Sequence, residues 1–184
     1  MQLETILQAI LLTADKPLSL DQLEGYFPPE EGIPRSAIRS ALQSLAVACE
    51  SQSFELKETA SGFRLQTRAA FQSWVQRHDD IRPQKYSRAF LETLALIAWR
   101  QPITRAEIEE VRGVAVNANV IKTLLERDWV RVIGHKELPG RPEMLGTTRH
   151  FLDYFTLKSL DELPNLVDIQ NMDVEKLQLT LLDS

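Results

Sequence analysis

Only one cysteine, Cys49, occurs in 184 residues, so the chain forms no internal disulfide. It has no Cys-x-x-Cys or His-x-x-x-His pair, and its three histidines, His78, His135 and His150, share no ligand spacing with Cys49 or each other. A metal centre and a Cys–His nucleophile therefore have no support in the pattern. No apolar run approaches the roughly 20 residues that span a bilayer. The opening Met-Gln-Leu-Glu lacks a basic segment, so no secretory leader is expected. With the lone thiol, this makes a cytoplasmic location the expectation.

Positive charge is also scarce. The formal net charge is −5. Lys and Arg against Asp and Glu number 7 against 11 in residues 1–80, 13 against 11 in 81–164, and 1 against 4 in the last twenty. Nucleic-acid binding draws on cations that neutralise several phosphates, and only the middle stretch is even slightly basic. The adjacent carboxylates Glu30-Glu31, Asp79-Asp80 and Glu109-Glu110 read as solvated surface. The loop Gly134–Pro142 lacks the Gly-Lys-Ser/Thr ending of a phosphate-binding loop and reads as a turn between strands. No enzyme activity, cofactor or metal is expected.

What the chain does have, it has twice. Lys16-Pro17-Leu18-Ser19-Leu20-Asp21-Gln22-Leu23 is echoed 85 positions later by Gln101-Pro102-Ile103-Thr104-Arg105-Ala106-Glu107-Ile108. Ser19 and Thr104 are N-cap residues whose capping boxes are completed by Gln22 and Glu107, and Leu18 with Leu23, and Ile103 with Ile108, form hydrophobic staples. Each copy follows an apolar helical run (Leu3, Ile6, Leu7, Ile10, Leu11; then Leu91, Leu94, Ala95, Ala98). Each precedes a third helix, one with Pro34 as an early residue and Ile38, Leu42, Leu45 and Ala46 on one face, the other from about Asn117 to Arg127, and then a pair of strands with period two.

Three helices and a hairpin make a winged helix, so the predicted fold is mainly α with small β-hairpins, in two tandem winged-helix domains. The boundaries read from the sequence are 1–79, a polar linker at 80–86, 87–166, and an acidic tail at 167–184. A helix from Ala69 to His78 is expected to turn Phe71, Trp74 and Val75 inward. The echo is 85 residues apart at the caps but 80 apart after the hairpins, which locates an insertion in the Pro28–Gly32 loop. Neither module has much core, so further contacts are expected to stabilise each. For the tail, disorder and ordering on a partner are both open.

Four blocks in the second half carry a resemblance: Ala98–Val114, Thr123–Arg127, Pro139–Thr148 and Phe151–Pro164. Together they are similar to the bacterial segregation and condensation protein B family, over about residues 86–166. The chain departs from the family pattern at Leu145 (usually Tyr), Thr156 (usually Gly) and Trp99 (usually Tyr).

The resemblance implies a non-catalytic accessory subunit of the SMC condensin complex, nucleoid-associated. It implies a homodimer formed largely through the first domain, for which Leu3, Ile6, Leu7 and Ile10 are nominated. It implies binding to the kleisin, segregation and condensation protein A, and through it to SMC. For that contact the second domain is nominated, with Trp99, Tyr154, Leu157 and Leu160, although the every-third-residue Leu157, Leu160, Leu163 and Leu166 fit core better. DNA contact is expected to be indirect or weak.

The motif residues Gly140, Arg141, Pro142, Gly146, Thr147, Thr148 and Phe151 are read as structural. Gly140 and Gly146 are expected to supply unusual backbone angles and Thr148 an N-cap. The competing reading is a winged-helix DNA-binding transcriptional regulator, with Arg35, Arg39, Lys122, Arg127, Lys136 and Arg141 facing the duplex.

Overall fold

The computed structural model describes residues 2–78 and 86–163. Residues 80–85 of the expected linker, Leu166 and the tail lie outside them. The chain divides into two compact units between Pro83 and Gln84.

In the first unit, α1 (Leu3–Thr13), α2 (Leu20–Glu24) and α3 (Arg35–Ala48) precede the antiparallel strands β1 (Phe54–Thr59) and β2 (Gly62–Thr67). A helical turn at Ala69–Phe71 leads into α4 (Gln72–His78). Ser19 caps α2 with the full reciprocal box: its hydroxyl accepts from the Gln22 N–H, and its own N–H donates to Gln22 Oε1. Leu7, Leu11, Leu20, Leu23, Ile38, Ala41, Leu42, Leu45 and Cys49 form the buried core. Phe54, Leu56, Phe63 and Leu65 cover it from the hairpin's apolar face. Arg68 pins the hairpin to the end of α3, donating to the Gln52 and Cys49 carbonyls at 3.2 and 3.0 Å.

The second unit repeats this order with α5 (Arg88–Arg100), β3 (Ile103–Thr104), α6 (Arg105–Arg112), α7 (Ala118–Glu126), β4 (Val130–His135), β5 (Glu143–Thr147) and α8 (Arg149–Tyr154). Thr104 closes the second capping box with Glu107. Its core is twice as large among the described residues, with eighteen buried apolar residues against nine. Trp129 stands at its aromatic centre, with Phe90, Tyr154 and Phe155 rings 4.6–6.1 Å away.

The repeated apolar residue before each cap does more than staple the helix. Leu18 exchanges two backbone hydrogen bonds with Phe63, both 2.9 Å. Ile103 pairs with Leu145 in the three-stranded sheet β3-β5-β4. The echo therefore tethers each wing as well as starting a helix, by a single bridge in the two-stranded first sheet and as a third strand in the second.

Two expectations are corrected here. Phe71, Trp74 and Val75 do not face inward; they are 41%, 64% and 44% exposed. The slip between copies is also not one insertion at Pro28–Gly32. The third helix has 14 residues in the first copy and 9 in the second. The first hairpin turns in two residues, 60 and 61, whereas the second takes the seven from 136 to 142. That gain and that loss cancel at five residues each, so the net difference lies elsewhere, chiefly in the connection into the third helix, ten residues at 25–34 against five at 113–117, which contains the expected Pro28–Gly32 segment.

Candidate functional site

The described residues hold no cluster of His, Cys, Asp and Glu fit for a metal. Cys49 is 1% exposed, and burial pushes its thiol up, against the nearby Arg68 charge. A buried, protonated thiol is a poor nucleophile. Exposed apolar and charged surfaces offer places for another macromolecule to bind.

In the first domain these surfaces are apolar. The turn at Ala69–Phe71 and the following α4 expose Phe71, Trp74 and Val75, with Trp74 the most open of the three. Of the four residues nominated on α1, Leu7 is fully enclosed, so its place is the core. Leu3 and Ile10 are partly buried against that core, and Ile6 is also partly buried. Leu12, absent from the nominated set, is 59% exposed near the end of the same helix. Surface exposure was not readable from periodicity because every apolar residue on the stripe looks alike.

In the second domain, Leu157 is 2% exposed and belongs to the core, while Leu160 packs against it partly buried. Trp99 also packs there, and its enclosed indole N–H has no acceptor among the described residues. Tyr154 alone of this group is open, at 38%.

The motif residues brace the wing. Gly140 sits at φ +83°, where a side chain is strained, and Arg141 follows at φ +40°. Lys136 N–H reaches across the loop to the Pro142 carbonyl at 2.9 Å. Gly146, by contrast, is needed for space. A Cβ there would lie 2.8 Å from both Gln101 Oε1 and Ile133 Cδ1. Thr148 caps α8, accepting from the Phe151 N–H at 3.1 Å, and its hydroxyl donates to the Asp128 carbonyl. Phe151 is buried below it. Thr156 occupies the left-handed region at φ +58°, where the resembled family carries glycine.

The cations offered for DNA are mostly engaged within their own domain. Arg35 pairs with Asp21 and sits 3.8 Å from Glu24. Lys136 pairs with Glu107, whose carboxyl is held down to about 2 by that contact and by both Thr104 donors. Arg127 donates to Tyr86 Oη at 2.9 Å and lies over the Tyr86 and Trp129 rings at 5.1 and 5.3 Å. Burial and Tyr154 push the Tyr86 phenol up to about 12 despite Arg127, so it stays neutral. Lys122 is 3.6 Å from Glu126. Arg39 and Arg141 make no ion pair among the described residues.

A feature not foreseen from sequence is an open groove of about 540 Å³ between α6, α7 and the start of β5. Ala106, Ala118, Ile121, Leu125, Pro142 and Leu145 line it, with Arg105, Glu109, Lys122 and Glu143. Arg105 and Glu109 pair at 3.0 Å and both bind the Val116 backbone. This fixes the connection that sets α6 against α7.

Comparison with known proteins places the chain in a family. The family described as segregation and condensation complex subunit ScpB matches residues 5–166. The segregation and condensation protein B homolog of Coxiella burnetii is 47% identical over 173 residues, 94% of this chain and 82% of that protein. Segregation and condensation protein B of Syntrophotalea carbinolica is 39% identical over 174 residues, 95% of this chain and 87% of that protein. The crystal structure of ScpB from Mycobacterium tuberculosis is 35% identical, with a TM-score of 0.37, and the match covers 82% of this chain and 92% of that one. A match over residues 5–166, together with 47% identity to a protein of which 82% is covered, is decisive: this chain belongs to the segregation and condensation complex subunit ScpB family.

Proposed function

We propose that the chain is a non-catalytic accessory subunit of the bacterial SMC–kleisin condensin complex and acts in chromosome condensation and segregation. Its first domain self-associates, and its second binds the kleisin, segregation and condensation protein A, which links it to SMC. It works in the cytoplasm, at the nucleoid, and touches DNA indirectly or weakly. No described helix is long and apolar enough to cross a membrane.

The observation that carries the dimer is the exposed apolar face made by the Ala69–Phe71 turn and α4. Phe71, Trp74 and Val75 face solvent in a domain with only nine buried apolar residues among those described. Covering such a face in an association supplies stability that a small core lacks. Leu3, Ile6 and Ile10 are the nominated neighbours of that contact on α1.

For the kleisin we nominate the second domain, with Tyr154, Trp99 and Leu160 as its partner-side candidates. The pairing of Arg35, Lys122 and Lys136 with carboxylates weakens the regulator reading, because a paired cation gives little to a phosphate.

Light scattering on the purified chain, with and without its cognate kleisin, tests the proposal. The expected result is a dimer at micromolar concentration that gains mass with the kleisin. A monomer that ignores the kleisin sinks it. Duplex binding at low salt that weakens steeply as salt rises would instead favour the regulator.

A further inference from the structure

Most cations of the second domain are held by partners, and those left over gather in one place. Arg88, Arg105, Arg112, Lys122 and Lys136 pair with carboxylates, and Arg127 donates to Tyr86. Arg100, Arg131 and Arg149 are exposed and make no ion pair among the described residues. Arg131 lies directly opposite Gly146 across β4 and β5, and directly opposed residues share a sheet face. On that face the Gln101 side chain closes over Gly146, and Arg100 is the residue before it. Arg149 follows Gly146 by three residues, at most about 11 Å of chain. Protection of an edge strand accounts for Arg131 alone, and the dipole at the end of α5 for Arg100 alone. Neither accounts for Arg149, which opens α8, where the helix dipole disfavours a cation.

We propose that Arg100, Arg131 and Arg149 together form a contact for the phosphate backbone of duplex DNA, without regard to base sequence. This rests on the reading that the chain works at the nucleoid, and it gives a weak DNA contact a location. Charge density selects the occupant. Duplex DNA carries one charge per roughly 1.7 Å of its axis, so neighbouring phosphates meet all three guanidiniums at once. An acidic protein strand turns alternate side chains away and offers a carboxylate only about every 7 Å. In a winged-helix regulator the third helix reads the groove, and α7 carries none of the three arginines. Contacts to phosphate carry no sequence information. Asp128 is the opposing charge: it is exposed, and its carbonyl accepts from the hydroxyl of Thr148, the residue before Arg149. Asp153, one turn along α8, has contacts of its own.

The test is fluorescence anisotropy of a labelled duplex of mixed sequence, titrated with the full chain. Three phosphates set a shallow salt dependence, about fortyfold weaker binding at about 200 mM salt than at about 50 mM. A regulator making roughly six to ten such contacts loses about 10³–10⁵ over that range. Arg131→Gln and Arg149→Gln should each lower the salt slope by about 1. The triple variant with Arg100→Gln should bind too weakly to measure. Asp128→Asn should bind about twofold more tightly, the size of one solvated repulsion. Asparagine keeps the left-handed backbone of Asp128 at φ +54°, and a misfolded variant does not gain affinity.

Circular dichroism and the mass gained with the kleisin should be unchanged in every variant. No duplex binding at low salt, or equal binding by the unaltered chain and the triple variant, overturns the contact and leaves the accessory-subunit reading standing. Binding that polyglutamate matches, or that discriminates between duplex sequences, overturns it as well. So does loss of the kleisin together with the duplex, which would make the cluster part of the kleisin surface. A chain that ignores the kleisin yet binds the duplex through these arginines would remove the accessory reading and keep the contact.

Discussion

Gln101 and Thr147, 46 positions apart, hold each other by a two-way clasp. The Thr147 N–H donates to Gln101 Oε1 at 2.7 Å, and Gln101 Nε2 donates to Thr147 Oγ1 at 2.9 Å. The clasp ties the end of α5 to the end of β5, and Gly146 leaves room for it. Gln101→Leu is expected to destabilise the second domain by about 1–3 kcal/mol, the cost of an unpaired backbone donor. Gly146→Ala should cost a similar amount, about 1–3 kcal/mol, by overpacking. Urea unfolding followed by the buried Trp129 would show both; an unchanged midpoint would mean that the clasp is ornamental.

The two capping boxes make a matched pair. Ser19→Ala and Thr104→Ala should each cost about 1 kcal/mol, the first in the first domain and the second in the second. Trp74 reports on the former domain, and Trp99 and Trp129 on the latter. Equal loss in both fluorescence signals from either single substitution would show that the units unfold as one.

Acid should weaken the second domain through Glu107. Its carboxyl is lowered from 4.5 to about 2, chiefly by Lys136 and then by Thr104. A depressed folded value means the stabilisation is complete above pH 4.5 and is lost as pH falls toward 2. The pair is partly solvated, with side chains 42% and 38% exposed, so the effect is modest and is screened by salt. Glu107→Gln should flatten the acid limb of the melting profile between those values. An unaltered limb would contradict the assignment.

Leu7 and Trp74 should separate folding from association. Leu7→Ala empties a fully buried site and should cost about 2–5 kcal/mol. Trp74→Glu, and more weakly Leu3→Glu, should dissociate the proposed dimer while the monomer stays folded. Sedimentation with circular dichroism distinguishes them. Loss of mass and ellipticity together in Trp74→Glu would mean that Trp74 is a core residue after all.

Thr156 stands in the left-handed region at φ +58°, which costs an L-residue about 1–2 kcal/mol. Thr156→Gly is expected to relieve that cost and to exceed Thr156→Ala in melting temperature. Alanine keeps the strain and loses the hydroxyl. The reverse order would show that the side chain's own interactions outweigh the backbone.

Local chemistry was legible in the residues. Both capping boxes, both hairpins and the cap at Thr148 follow from contacts at short sequence offsets, and the every-third spacing of Leu157, Leu160 and Leu163 favoured core. At Ser19, Thr104 and Thr148 the hydroxyl accepts from the N–H three residues on, a contact set by the helix start itself. The cap echo and the motif blocks therefore determined the module, its duplication and the family.

Tertiary structure decided which apolar faces are covered and which charges are available. α1 and α4 both carry apolar residues at helical spacing, yet Leu7 is enclosed and Trp74 is open. Nothing in the spacing of either helix says whether another element will pack on it. Lys136 and Arg127 read as exposed cations until the fold brings Glu107 and Tyr86 to them from 29 and 41 positions away. Gly146 reads as a flexible residue until Gln101 and Ile133 close around it. Burial, pairing and the groove between α6, α7 and β5 all depend on residues distant in sequence meeting in space, and only the folded chain brings them together.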